Sequence, residues 1–223
     1  MAFHTNRFPN EDAQYREARD RLLAAEAELR SMVAQVAELR RALPPGGAVP
    51  DDYQLTASTG EPTQLSGLFR EGKNTLVVYS YMYAPDDDAP CPMCTAFLDS
   101  LDGNALHLEQ RVNLAVIAKA SARTLREWSV QRGWRHLRLY SSENSSLNAD
   151  YFAESPDGDQ WPMVTVFRRH DGAIRHSYSS ELFFCEPMPG TDPRHVDMLW
   201  PVWNVLDLTP EGRGDWYPAL RYD

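Results

Sequence analysis

The chain has 223 residues, an apolar content of 43% and a formal net charge of −10, from 22 basic and 32 acidic groups. That length suits one domain with extensions or at most two small ones, and the composition is that of a globular protein with a sizeable core. The acidic balance disfavours nucleic acid and anionic membrane surfaces as partners, because both require a cationic footprint.

The first residues, Met1 to Phe8, lack the apolar run of a secretory signal, and no later segment is long and apolar enough to span a bilayer. The expected compartment is therefore the cytoplasm, where thiols are held reduced and disulfides are transient. From Glu11 to Leu43 the spacing predicts one long helix. Tyr15, Ala18, Leu22, Ala25, Leu29, Met32, Val36, Leu39 and Leu43 alternate three and four residues apart, with charged flanks. Two readings of this seam stay open: a helix laid across its own domain, or an arm that pairs with a second copy in a homodimer. Pro44-Pro45-Gly46-Gly47 ends the helix, which sets a helical arm over 1–47 and a body over 48–223.

In the body, Tyr53-Gln54-Leu55 reads as extended and Leu65 to Phe69 as a helical turn. Thr75 to Tyr83 is apolar enough for a central strand, and an acidic loop containing Asp86, Asp87 and Asp88 follows. Next comes Cys91-Pro92-Met93-Cys94, which opens a helical run through Leu98. Val112 to Ala118 is a second buried strand. Ser121 caps a helix that stops near Gly133, and Leu137 to Tyr140 is a short strand. Asn144 to Gln160 reads as loop. Met163 to Phe167 and Ile174 to Tyr178 flank Asp171-Gly172, a hairpin signal. A last helix is expected from Thr191 or Asp192, with Pro193 in its first turn, to about Leu208, kinked near Pro201.

A Cys-x-x-Cys pair between a strand and a helix points to a working dithiol. Two cysteines three positions apart on a first helical turn lie on one side, so their sulfurs can close a small ring. If Cys91 caps the helix, the unpaired N–H groups and the helix dipole favour a thiolate there. Cys91 is then the nucleophile and Cys94 the resolving thiol. The acidic loop, if near, opposes that thiolate. Cys185, among Leu182, Phe183 and Phe184, reads as a buried, inert thiol.

The element order is a βαβ unit followed by a ββα unit. With the cysteine segment it resembles the thioredoxin-like superfamily: an α/β fold with a central mixed sheet flanked by helices, here with a long N-terminal helix. More closely, the chain resembles a bacterial domain-of-unknown-function family described as predicted dithiol-disulfide oxidoreductases. That likeness lies in Arg40-Arg41-Ala42-Leu43-Pro44, Leu68-Phe69, Leu76 to Tyr79 with Met82, and Cys91 to Cys94. It continues in Leu101-Asp102-Gly103 and in Leu206 to Arg213. The resemblance implies thiol–disulfide exchange with a protein or small-molecule disulfide and an unspecified electron donor, and it implies no organic cofactor. It also implies that Pro162 is a cis proline facing the cysteines. Trp161 and Pro162 would then shape the substrate site, with the Trp161 backbone open to a bound extended peptide. The buried acid that thioredoxins place in the strand before the cysteines is missing from Leu76 to Tyr79.

Three rivals compete. A peroxidase of the peroxiredoxin branch would use the same thiolate, but Asp88 stands where the usual threonine precedes the cysteine. A zinc site would join Cys91 and Cys94 to Cys185 and His176 or His195, and a lone Cys-x-x-Cys is a weak signal for one. The third is a non-catalytic binding or assembly module. His107 reads as solvent-facing, and Trp128, Trp134, Trp200, Trp203 and Trp216 read as core or rim packing.

Overall fold

The computed structural model describes residues 4–185 and 199–222. The chain forms two compact units, Met1–Pro44 and Pro45–Asp223.

The first unit is dominated by helix α1, Ala13–Ala42. Asp12 caps it, its carboxylate accepting the Tyr15 N–H at 2.7 Å. Arg40 and Arg41 occupy the last turn, where positive charge complements the helix dipole. None of its residues is buried.

The second unit is built on a seven-stranded sheet in the order β2-β1-β5-β4-β3-β6-β7. The strands are β1 (Gln54–Ala57), β2 (Pro62–Gln64), β3 (Thr75–Ser80), β4 (Asn113–Ala118), β5 (Leu139–Ser141), β6 (Met163–His170) and β7 (Ala173–Ser179). β3 runs parallel to β4 and antiparallel to β6, and β6 runs antiparallel to β7. This β4-β3-β6-β7 core, with helix α2 (Pro92–Leu108) between β3 and β4, is the thioredoxin arrangement. β5, β1 and β2 extend the sheet beyond β4. All six residues of β4 are buried, as a strand covered on both faces requires.

Two apolar layers sandwich the sheet. On one face, Tyr79, Tyr81 and Tyr83 pack with Phe97 and Leu98 of α2, Leu125 of helix α3 (Ala122–Arg132), and Trp200 and Trp203. On the other, Leu76 and Val78 pack with Tyr53, Leu65, Leu68 and Phe167. The period-2 alternation of β3 assigns its residues to the two layers. Asp171 (φ 51°) and Gly172 (φ 77°) make the turn between β6 and β7, both in the left-handed region that a two-residue hairpin demands. Ser121 caps α3, and Gly133 ends it with a left-handed φ of 76°.

Three local features depart from the sequence reading. The short polar strand β2 pairs with β1, and a one-turn helix α4 (Leu147–Asp150) interrupts the expected loop. Pro201 opens helix α5 (Pro201–Leu206) and does not kink a longer one, since a first-turn proline loses no hydrogen bond. The expected cap at Thr191 or Asp192, with Pro193, lies outside the described residues.

Candidate active site

After β3 the chain stays extended beside β4, with the Tyr81 N–H donating to Ile117 O at 2.8 Å and the Ala120 N–H to Tyr83 O at 2.8 Å. It then turns through the acidic loop, where the Asp87 carboxylate accepts the Ala84 N–H at 2.7 Å. It returns at Cys91, whose N–H donates to Met82 O at 3.1 Å. Cys91 is thereby fixed as the N-cap of α2, with Pro92 in the first helical position.

Cys91 is partly exposed and Cys94 is buried one turn deeper. The Cys91 Sγ accepts the Cys94 N–H at 3.5 Å. The Cys91 thiol is brought down from its ordinary 9.0 to about 6. The largest cause is a hydrogen bond from the Cys94 thiol. The Cys94 and Met93 N–H groups add to it, and partial burial opposes it. Cys94 moves the other way, held well above the ordinary thiol range by burial and then by its neighbour Cys91. The expected opposition from Asp86, Asp87 and Asp88 is not among the causes acting on Cys91. The environments therefore split the two thiols into an ionised outer group and a neutral inner one.

A hydroxyl layer backs the pair, and the sequence reading missed it. Tyr79, fully buried and held neutral by burial, hydrogen-bonds the Cys94 thiol. The Tyr81 hydroxyl lies 2.7 Å from Thr95 Oγ1, which itself donates to the Cys91 carbonyl at 2.9 Å. Alternation along Val77, Tyr79, Tyr81 and Tyr83 was the available signal, because it puts all four side chains on the cysteine side of the sheet.

Cys91 opens onto a groove of about 640 Å³ that Trp161 and Pro162 also line. The structure thus brings Cys91, Trp161 and Pro162 to one groove, while Cys94 is buried behind Cys91 and does not line it. Two details differ from expectation. No described peptide bond is cis, so Trp161–Pro162 is trans. The Trp161 N–H is spent on Ala153 O at 2.9 Å, closing the loop before β6. A peptide in the groove therefore cannot pair with that N–H.

Cys185 is exposed, contrary to expectation. Its short helical turn, Glu181–Phe184, leaves Leu182 80% and Phe184 48% accessible, and the thiol lies at the surface with them. Phe184 packs against Trp161, with ring centroids 5.8 Å apart. Among the described residues, no three His, Cys, Asp or Glu side chains converge as a metal-ligand set; His195 lies outside them. Likewise, no described helix is long and apolar enough to cross a membrane. His107 is exposed, Trp200 and Trp203 are buried, and Trp216 lies at the rim.

The strand order and the helix that follows β3 define a thioredoxin-fold protein. The chain belongs to the family described as "Bacterial protein of unknown function (DUF899)", which it matches over residues 5–221. No curated protein matches it significantly. Solved structures similar to it include peroxiredoxin Q from Xanthomonas campestris, at 15% identity and a TM-score of 0.46, covering 60% of this chain and 84% of that one. Peroxidoxin BcpB from Mycobacterium tuberculosis matches at 20% identity and 0.45, covering 62% and 87%. A peroxiredoxin-like protein from Aquifex aeolicus matches at 12% and 0.46, covering 70% and 84%.

Proposed function

We propose that the protein is a cytoplasmic thiol–disulfide oxidoreductase. The observation that carries this reading is the split pair: a partly exposed Cys91 with a depressed thiol pKa and a buried Cys94 hydrogen-bonded behind it. In the reductive direction, the Cys91 thiolate attacks a substrate disulfide. A Cys91–substrate disulfide forms and one substrate thiolate leaves. Cys94 then loses its proton and attacks Cys91 Sγ. The Cys91–Cys94 disulfide forms, and the second substrate thiol departs with a proton. Two protein thiols are oxidised and one substrate disulfide is reduced, and a dithiol reductant restores the pair. Stabilising the Cys91 thiolate favours the reduced protein, which makes its disulfide more oxidising than one between ordinary thiols. Trp161 and Pro162 form the wall against which the substrate lies.

The test is a redox titration of the Cys91–Cys94 pair in glutathione and dithiothreitol buffers, read by alkylation and mass shift. A reversible two-electron transition between about −270 and −120 mV is expected. No such transition would sink the reading. Faster consumption of hydrogen peroxide than of a disulfide, in parallel assays, would transfer the assignment to a thiol peroxidase.

A further inference from the structure

The groove at Cys91 has a one-sided charge pattern. Of the eleven described residues that line it, two are carboxylates, Asp87 and Asp159, and none is a lysine, arginine or histidine. The remaining lining is apolar or neutral, including Gln160 and Trp161. The acidic residues belong to two exposed loops that supply Asp86, Asp87 and Asp88 on one side and Asp157 and Asp159 on the other.

Both loops are held in place. Asp87 is anchored by its bond from the Ala84 N–H. The second loop is closed by Ser155 N–H to Asp159 O at 2.8 Å, Gly158 N–H to Ser155 O at 3.0 Å and Asp159 N–H to Ser155 Oγ at 3.0 Å. Gly158, at φ 91°, takes the left-handed position that this turn needs. A substrate entering the groove therefore meets fixed negative charge.

We propose that this groove selects disulfides by charge, accepting those flanked by cationic groups and discriminating against anionic ones. The substrate class is a basic peptide disulfide or a diamine disulfide. A polyanionic disulfide such as oxidised glutathione is disfavoured. Fixed charges lining a cleft raise the local concentration of oppositely charged substrate, and salt weakens the effect over a screening length of about 8 Å. The nucleophile adds to the bias, because its thiolate is itself negative. Asp87 and Asp159 are specificity-determining residues and take no part in sulfur transfer.

This inference rests on the oxidoreductase reading, and its test separates the two. Reduced full-length protein is mixed with excess cystamine, 2-hydroxyethyl disulfide or 3,3′-dithiodipropionate, which carry two positive, no and two negative charges. The first-order loss of protein thiols is followed by quench and mass shift. Each rate is divided by that of dithiothreitol with the same disulfide, which removes differences in leaving-group reactivity. The expected cation-to-anion ratio is about tenfold at low ionic strength, falling toward one in 0.5 M salt. In Asp87→Asn/Asp159→Asn the low-salt ratio falls severalfold. The amide oxygen that replaces the Asp87 carboxylate can still accept the Ala84 N–H, so the turn is kept. Near-equal corrected rates for all three disulfides in the unaltered protein would overturn the charge selection while leaving the oxidoreductase reading intact. A ratio that persists in the double variant would overturn the assignment to Asp87 and Asp159. Failure to reduce even the neutral disulfide would remove the oxidoreductase reading, and the charge selection with it.

Discussion

The backbone N–H of Cys94 is aimed at the Sγ of Cys91, 3.5 Å away, so the first turn of α2 solvates the sulfur that faces the groove. With the Cys94 thiol donating as well, the Cys91 thiol falls to about 6. Above that pH the thiolate predominates, and one unit above it outnumbers the thiol about ten to one. Alkylation of Cys91 by iodoacetamide should accelerate as pH rises through about 6 and level off before pH 8. In Cys94→Ala the midpoint should move upward, because the largest cause is removed. It should stay below 9.0, because the Cys94 and Met93 N–H groups remain. The linkage has a definite sign. A thiol depressed in the folded state stabilises the reduced fold fully above its unfolded pKa, and that stabilisation is lost as pH falls through about 6.

The proposed exchange gives the two cysteines unequal roles, and single substitutions should show it. Cys91→Ser removes the accessible thiolate and should abolish disulfide reduction. Cys94→Ser leaves the nucleophile but no resolving thiol, so a mixed disulfide with substrate should accumulate. Intact mass after acid quench measures both. An active Cys91→Ser protein would falsify the assignment of the nucleophile.

Tyr79 occupies the strand that in thioredoxins carries a buried acid, and a phenol makes a different device. Held neutral by burial, it cannot take up a proton, but its hydrogen bond to Cys94 lowers that thiol's pKa. Tyr79→Phe should therefore raise the Cys94 pKa further and slow the second step about tenfold, the scale of a hydrogen bond to a charged group. Rapid-quench measurement of mixed-disulfide decay tests this. The Cys91 alkylation profile should barely move, which a general loss of structure would not spare.

Much of this architecture is legible from sequence where one local rule dominates. Asp171-Gly172 dictates a hairpin, Ser121 and Gly133 bracket a helix, and Cys91-Pro92 opens one. The site is legible to the same extent, because Cys91 and Cys94 are joined by one helical turn, and Trp161 and Pro162 came from family likeness. What the sequence hides is long-range pairing. β2 is polar and carries Pro62, so nothing in its pattern marks a strand until β1 supplies partners. The Trp161 N–H looks available until Ala153 folds back onto it, and Cys185 looks buried until its turn is seen at the surface.

Asp102 shows a motif residue whose work is structural. Its carboxylate accepts the N–H groups of Arg135, His136 and Leu137 at 2.8–3.2 Å, tying α2 to the segment that enters β5. Asp102→Ala leaves those donors without their acceptor and should destabilise the protein by about 2 kcal/mol. Urea unfolding measures the loss. Asp102→Asn should lose less, since one oxygen acceptor survives. The Cys91 alkylation midpoint should be unchanged under folded conditions.

Helix α1 presents an apolar seam with Leu22, Leu29, Met32 and Leu39 between 48% and 68% accessible. Over 30 residues it spans about 45 Å, enough for four heptads. Burying one such leucine contributes roughly 2 kcal/mol, so a few seam contacts can hold two helices together. We propose that a second copy of the chain covers the seam. The protein should sediment at twice its 25.4 kDa mass at micromolar concentration. Leu22→Glu/Leu29→Glu should sediment as a monomer, because like charges replace the central contacts. Both positions belong to the first unit and the two cysteines to the second, so the substitution should leave the Cys91–Cys94 potential unchanged. A monomeric unaltered protein at tens of micromolar would remove the dimer. A shifted potential in the monomeric variant would instead mean that assembly and thiol chemistry are coupled.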